Sequence, residues 1–368
     1  MADDKKAPDP PKPAPKSPGF WRETWVRFRR RPGGMLALVY VVFMALVAIF
    51  APAIAGTKPV MCKYKGHLYF PAMGYFNPKW ENPIFQKDRF RKRYTPAKFK
   101  EKDPDSWVIW PLVYQDPFRR VGGEEWPGQP ENPTGADGSP SRYNWFGTNQ
   151  QGKDVFAMMV HGTRIALLVG FVSMGIAATV GITFGAIAGY FGGWTDIIIS
   201  RLIEVVLCIP ALVLILALLA IVEKATIWHI MAVIGLTRWT GIARLTRAEF
   251  LRLKQSDYVA AAKSLGASQL RIVFKHILRN GLAPVLVPIT FGIASAVLLE
   301  SGLSLLGFGT PPPNPSWGTI LREGRDTIQQ TWWLIVFPGL AIFFTVLAYN
   351  LIGEGLQEAT DPRLRSDD

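Results

Sequence analysis

Asp257-Tyr258-Val259-Ala260-Ala261-Ala262-Lys263-Ser264-Leu265-Gly266-Ala267-Ser268-Gln269-Leu270-Arg271-Ile272-Val273-Phe274-Lys275-His276-Ile277-Leu278-Arg279-Asn280 is a cationic, alanine-rich block between two long apolar segments. Its local signals predict two short helices. Asp257 suits an N-cap, where its carboxylate accepts the unpaired N–H groups of the first turn. Ala260, Ala261 and Ala262 have the highest helix propensity. Gly266 suits the left-handed conformation that ends a helix. Ser268 suits the next cap, and Leu270, Val273, Phe274, Ile277 and Leu278 fall on one face of the helix that follows. Along Ala260–Ala262 the first helix bears only methyl groups, so another protein's backbone can approach it closely. That is the shape of a docking peg; the plainer reading is an ordinary interhelical loop.

The flanks say where the block sits. Apolar runs at 226–242 and 282–299 are read as membrane spans. Between them, residues 243–280 hold eight Lys or Arg against two acids. A short, strongly basic loop between spans belongs in the cytoplasm. Further apolar runs at 34–55, 164–191, 197–222 and 331–353 bring the number of expected spans to six, each near the ~20 residues a bilayer requires. The basic flank before residue 34 places the N-terminus inside as well. Six crossings then put residues 354–368 inside.

Of 368 residues 49% are hydrophobic and 19% charged, an average over strongly apolar runs and strongly polar tracts. The net charge of +13 does not indicate a nucleic-acid partner: it flanks apolar spans, where lipid headgroups attract Lys and Arg, and no nucleic-acid-binding signature accompanies it. Cys62 lies in a polar tract and Cys208 in an apolar run, so no intrachain disulfide is expected. The first apolar run is too long for a cleavable signal peptide.

Residues 1–18 are too polar to bury a core and read as a disordered tail. Residues 19–32 read either as an amphipathic interfacial helix or as a simple basic flank to the first span. Residues 57–160 differ from the rest. Over 57–150 they hold 15 Lys or Arg against 10 acids, yet loops longer than about 60 residues translocate regardless of charge. They read as a small extracytoplasmic insert domain with short strands at Lys63–Phe70 and Trp107–Tyr114 and an irregular Gly/Pro-rich tail at Gly122–Arg142. Gly147 to Asp154 imitates a phosphate-binding loop, but Asp154 stands where the loop requires Ser or Thr. The segment reads as a turn into the next span.

Within the spans, Ser173, Ala177, Gly181, Gly185 and Gly189 recur every four residues, a small-residue stripe that lets another helix pack closely. Arg201 and Glu204 lie one turn apart, read as a structural ion pair or, for Glu204, a pathway residue. Pro210 predicts a kink. From Glu300 to Gly318, glycines followed by prolines predict an outer loop, with Trp317, Trp332 and Trp333 near the interface. His67, His161, His229 and His276 are scattered, and no nucleophile stands beside a base. The chain is not expected to be an enzyme or to bind a metal.

The block at 257–280 resembles the cytoplasmic loop of ABC importer permeases: Glu-Ala-Ala, three residues, Gly, then nine residues before Ile-x-Leu-Pro. Ala261, Ala262, Gly266 and Leu278 fall in that register; Ala260 replaces the Glu and Arg279 the Pro. Glu300 to Gly318, Asp154-Val155-Phe156, Gly162-Thr163-Arg164 and Asp361-Pro362-Arg363-Leu364 narrow the resemblance to oligopeptide/dipeptide permeases, over about residues 144–365. The insert, with Tyr64-Lys65-Gly66, Tyr69-Phe70-Pro71, Trp107-Val108-Ile109-Trp110 and Ser141-Arg142-Tyr143-Asn144-Trp145, is similar to the permease of microcin C-type peptide uptake systems.

The resemblance implies an all-α polytopic fold, with one N-terminal span, a five-helix core at 164–353 and a small insert of mixed or β structure. It implies half of a peptide-import pore in the bacterial inner membrane. The implied partners are a homologous second permease, two cytoplasmic ATPase subunits or domains and an extracytoplasmic substrate-binding protein. ATP and Mg would be bound by the ATPases, and no cofactor by this chain. Asp257, Tyr258, Ala260, Ala261, Ala262, Gly266 and Ala267 would couple to the ATPase; Glu204 and Glu300 are candidate pathway residues. The competing readings are a self-sufficient secondary transporter or channel, an importer of a non-peptide solute, and a membrane anchor that displays the insert. The chain shows no internal repeat or intramembrane charge ladder of the kind secondary transporters carry.

Overall fold

The apolar runs fold as helices, the conformation that satisfies a segment's backbone hydrogen bonds internally in lipid. A computed structural model describes residues 20–90, 93–125 and 135–360. The expected tail at 1–18, the middle of the Gly/Pro-rich stretch at 126–134, and Asp361–Leu364 lie outside the described residues.

Helix α1 (Phe20–Arg29) leads through a turn into α2 (Pro32–Ile49). Pro32 opens α2, where its missing N–H matters least. One further turn, α3 (Ala51–Ile54), ends this first unit. The insert follows. Its strands β1 (Met61–Tyr64) and β2 (His67–Tyr69) form a hairpin, and short helices α4 (Ile84–Lys87) and α5 (Pro96–Lys102) precede β3 (Trp107–Ile109). The sheet is antiparallel in the order β2-β1-β3, with Cys62 facing Tyr69 on one side and Val108 on the other. The stretch expected as one strand is thus a hairpin, because Lys65 and Gly66 both take positive φ, the twist a tight two-residue turn requires. One face of the sheet buries Cys62 and Tyr64 against Phe85, Phe90, Tyr94 and Phe99.

The core then runs α6 (Val155–Phe191), α7 (Gly193–Leu207), α8 (Ala211–Ala220), α9 (Ile227–Lys254), α10 (Asp257–Ser264) and α11 (Gln269–Arg271). A π-helical stretch at Ile272–Leu278 joins α11 to α12 (Arg279–Leu305) as one continuous rod, followed by α13 (Trp317–Arg325) and α14 (Trp333–Thr360). Asp154 caps α6, its carboxylate accepting the Ala157 N–H at 2.7 Å.

Among the described residues four helices are long and apolar enough to cross a membrane: α2, α6, the Gln269–Leu305 rod and α14; there are five if the α7–α8 pair counts as one span. That pair is bent by 86°, at Cys208 to Pro210, so the kink expected from Pro210 is a complete break between two helices. Helix α9 is long enough, but Arg238, Arg244, Arg247, Glu249, Arg252 and Lys254 leave it less apolar than the others.

The two ends of the bundle differ. At one, the insert meets the starts of α6 and α14: Phe146 stacks on Phe337 with centroids 4.0 Å apart, and His161 Nε2 lies 2.8 Å from the Ala55 carbonyl. At the other, Arg31 pairs with Glu358 at 2.8 Å, and Lys254 Nζ donates to the Tyr190 carbonyl at 2.5 Å. The α10 block therefore sits at the same end as α1 and the end of α14, opposite the insert.

Two of the tryptophans expected at the interface are core residues. Trp317 and Trp333 are almost fully buried. Each indole N–H is satisfied by a distant carbonyl, Met159 at 3.1 Å and Thr148 at 2.9 Å. Only Trp332 remains half exposed.

Candidate functional site

Helix α10 projects at the bundle end as a short helix of about two turns, exposed on its outer face. Asp257 is its first residue rather than its cap, so the helix starts one position earlier than expected. Ser256 occupies the cap position without making a cap bond; its hydroxyl donates back to the Leu253 carbonyl at 2.6 Å. The Asp257 carboxylate in the first turn still complements the helix dipole. Gly266 ends the block at φ +76°, and a Cβ there would meet nothing within 4 Å.

The expected peg residues divide by face. Asp257, Tyr258, Ala260, Ala261 and Gly266 are exposed and Ala267 half-buried. Ala262 is not on the open face. With Val259 it packs into a cluster of Tyr190, Phe250, Leu253, Ile272 and Ile277. Full burial of a Val side chain stabilises by about 1.5–3 kcal/mol, so this underside holds α10 rigidly against α9 and the rod.

The next helix presents a different face from the one its spacing suggested. Ile272 and Ile277, five residues apart, are buried, while Leu270 and Phe274 are exposed. The π-helical stretch causes this: its hydrogen bonds run from i to i+5, so the buried positions recur at five rather than three and four. Leu265, the most exposed of these at 87%, stands at the tip beside Gly266. Leu265, Leu270 and Phe274 thus add apolar area to the methyl face. An i, i+5 reading of Ile272 and Ile277 was the only sequence signal for it.

Behind the peg, the small-residue stripe faces α9. Ser173, Ala177, Gly181, Gly185 and Gly189 are all buried. A Cβ on Gly181, Gly185 or Gly189 would come within 2.7 Å, 2.5 Å and 2.7 Å of the carbonyl oxygens of Trp239, Ala243 and Arg247. Gly235 on α9 answers in kind, its added Cβ falling 2.7 Å from the Ser173 carbonyl. The two backbones touch along this seam. Asp196 at the start of α7 clamps Arg247, with Nη2 to Oδ2 at 2.6 Å. That ion pair ties α7 to the same seam, and neither residue's spacing in sequence suggested it.

The pathway candidates lie apart. Glu204 on α7 is exposed and pairs with Arg201 at 2.5 Å. Glu300 is buried near the insert end of α12, not in a loop. It accepts from Ser304 Oγ at 2.8 Å and Thr310 Oγ1 at 3.2 Å, and so staples the loop after α12 onto the helix. Among the described residues no group of three or more His, Cys, Asp or Glu could hold a metal ion.

Comparison with known proteins agrees with this arrangement. The family "Binding-protein-dependent transport system inner membrane component" matches residues 181–366, and "N-terminal TM domain of oligopeptide transport permease C" matches residues 19–68. The chain is 31% identical to a peptidoglycan transport system permease protein of Agrobacterium fabrum, over 95% of both chains. It is 32% identical to a dipeptide transport system permease protein of Haemophilus influenzae, covering 96% of this chain and 97% of that one. It is 38% identical to a dipeptide transport system permease protein of Alkalihalophilus pseudofirmus, over 64% of this chain and 77% of that one. The chain belongs to the binding-protein-dependent transport system inner membrane components, the membrane-embedded permeases of ABC importers.

Proposed function

We propose that this permease forms half of a peptide-import pore and is driven through α10 by a cytoplasmic ATPase. The observation that carries this reading is the two-sided build of α10. Its outer face (Ala260, Ala261, Leu265, Gly266) is open, and its underside is locked to α9 and the α12 rod. A displacement of the peg is thereby delivered to two long helices. The α6–α9 seam passes it on to α6.

In this reading the chain crosses the inner membrane six times, with the α7–α8 pair and α9 supplying the two crossings beyond the four long apolar helices. Both described ends and α10 face the cytoplasm, and the insert faces outward, where a substrate-binding protein delivers peptide. A homologous permease supplies the other half of the pore. ATP and Mg bind the two ATPase subunits or domains, and this chain performs no chemistry. Glu204 and Glu300 are candidate pathway residues. The narrower likeness of the insert to microcin C-type permeases points to peptide-like compounds as cargo.

The test is reconstitution of the chain with its co-purifying partners in proteoliposomes. Peptide uptake should require ATP and disappear in the Ala261→Arg variant together with ATPase binding. Uptake that persists without any ATPase would instead establish a self-sufficient transporter. Removal of residues 60–140 should reduce uptake and leave ATPase binding intact.

A further inference from the structure

An apolar groove of about 480 Å³ runs between the end of the first span and the underside of the insert. Ile49, Phe50 and Ala53 form one wall; Phe70, Met73 and Trp80 form the other. Ile49, Phe50, Phe70 and Trp80 are each more than half exposed, and Met73 nearly so. An insert bathed in water would leave such a contiguous apolar surface only where something covers it.

Three observations identify the cover. First, the groove continues the exposed apolar stripe of α2 (Leu36, Val39, Phe43, Leu46, Ile49) without interruption. Second, it lies at the level of the membrane boundary. No charged residue occurs from Ile165 to Phe191 of α6, a length of about 40 Å at 1.5 Å per residue, enough for the ~30 Å hydrocarbon core. Arg164 closes that run on the insert side. Third, the Arg164 guanidinium sits 4.5 Å over the ring of Phe76, itself a groove residue, and contacts no carboxylate among the described residues. A half-buried cation without an acid, at headgroup depth and beside an apolar slot, has the two elements of a phospholipid: phosphate for the guanidinium, acyl chain for the slot. The exposed indole of Trp80 is of the type that settles at the membrane interface.

We infer that the groove holds the acyl chain of a bilayer phospholipid whose phosphate pairs with Arg164, so that the insert rests on the leaflet rather than standing clear of it. A second protein chain over the same surface would have to accommodate the unpaired guanidinium with an acid; a phospholipid supplies the anion and the chain together.

The experiment uses the full-length chain in proteoliposomes containing phosphatidylglycerol with a photoactivatable diazirine near the middle of one acyl chain. Illumination should label peptides spanning 49–53 and 70–80. Met73→Asp, at a half-exposed position of the groove wall, should abolish labelling of 70–80 and leave labelling of α14 unchanged. Arg164→Gln should lower labelling by the phospholipid about five-fold, on the scale of one basic residue at an anionic surface, and leave labelling by a diazirine diacylglycerol unaltered. Labelling confined to the spanning helices would overturn the inference. So would crosslinks from the groove to another protein chain, or equal loss of both probes in Arg164→Gln. Protease resistance of the insert, measured in parallel, separates loss of lipid from loss of fold.

Discussion

Gly185 of α6 lies so close to Ala243 of α9 that a Cβ on the glycine would fall 2.5 Å from the alanine carbonyl oxygen. Backbone cannot give way as a flexible side chain can, so the glycine is required by contact rather than merely tolerated. Gly185→Ala should lower stability by about 1–3 kcal/mol, the usual range for an overpacked core. Gly175→Ala on the same helix, where a Cβ meets nothing within 4 Å, should be neutral or stabilising by up to about 1 kcal/mol. Thermal unfolding in detergent compares the two; equal loss in both would deny the seam.

Adjacent alanines of α10 should behave oppositely. Ala261 is exposed and Ala262 buried in the cluster beneath the peg. Ala261→Arg should leave the thermal midpoint within the ~0.5 kcal/mol typical of surface changes while removing the co-purifying ATPase. Ala262→Arg buries an unpaired charge and should cost about 3–5 kcal/mol. If both variants kept the ATPase and the midpoint, α10 would not be the contact.

Burial pushes the Asp154 carboxyl up to about 6, more than the bonds from Ala157 N–H and Asn144 lower it. A carboxyl whose folded-state pKa exceeds its unfolded value favours folding while protonated. Its contribution is complete below about pH 4 and is lost as pH rises through about 6. The thermal midpoint should therefore decline across that window. Asp154→Asn keeps a good cap acceptor and should flatten the decline; an unchanged slope would assign it to other groups.

Burial also pushes the Cys62 thiol up to about 12, whereas Cys208 is exposed. The thiolate is the reactive form, so Cys62 should resist alkylation. Near neutral pH, N-ethylmaleimide should leave Cys62 unmodified in the folded chain. In Cys208→Ser it should add to none until the insert is unfolded. Intact-mass measurement reads this directly; prompt labelling of Cys62 would mean the aromatic cluster opens.

Much of this molecule follows from local rules. Runs of apolar residues long enough for a bilayer, the basic loop between two of them, the positive-φ glycine after Ser264 and the four-residue spacing of Ser173 to Gly189 are all visible along the chain. Each depends on neighbours within one or two helical turns. Tertiary packing decided the rest. It buried Ala262 and exposed Ala261, although their side chains are identical. It turned Trp317 and Trp333 inward because carbonyls at Met159 and Thr148, more than 150 residues away, were placed to accept their N–H groups. It opened the chain by 86° around Pro210, where a proline alone specifies a kink or break but not its angle. It paired the small stripe with α9 rather than with any other helix. Periodicity records which side of a segment is small or apolar; which partner arrives on that side depends on shape matched over long separations, and only the folded bundle brings those surfaces together.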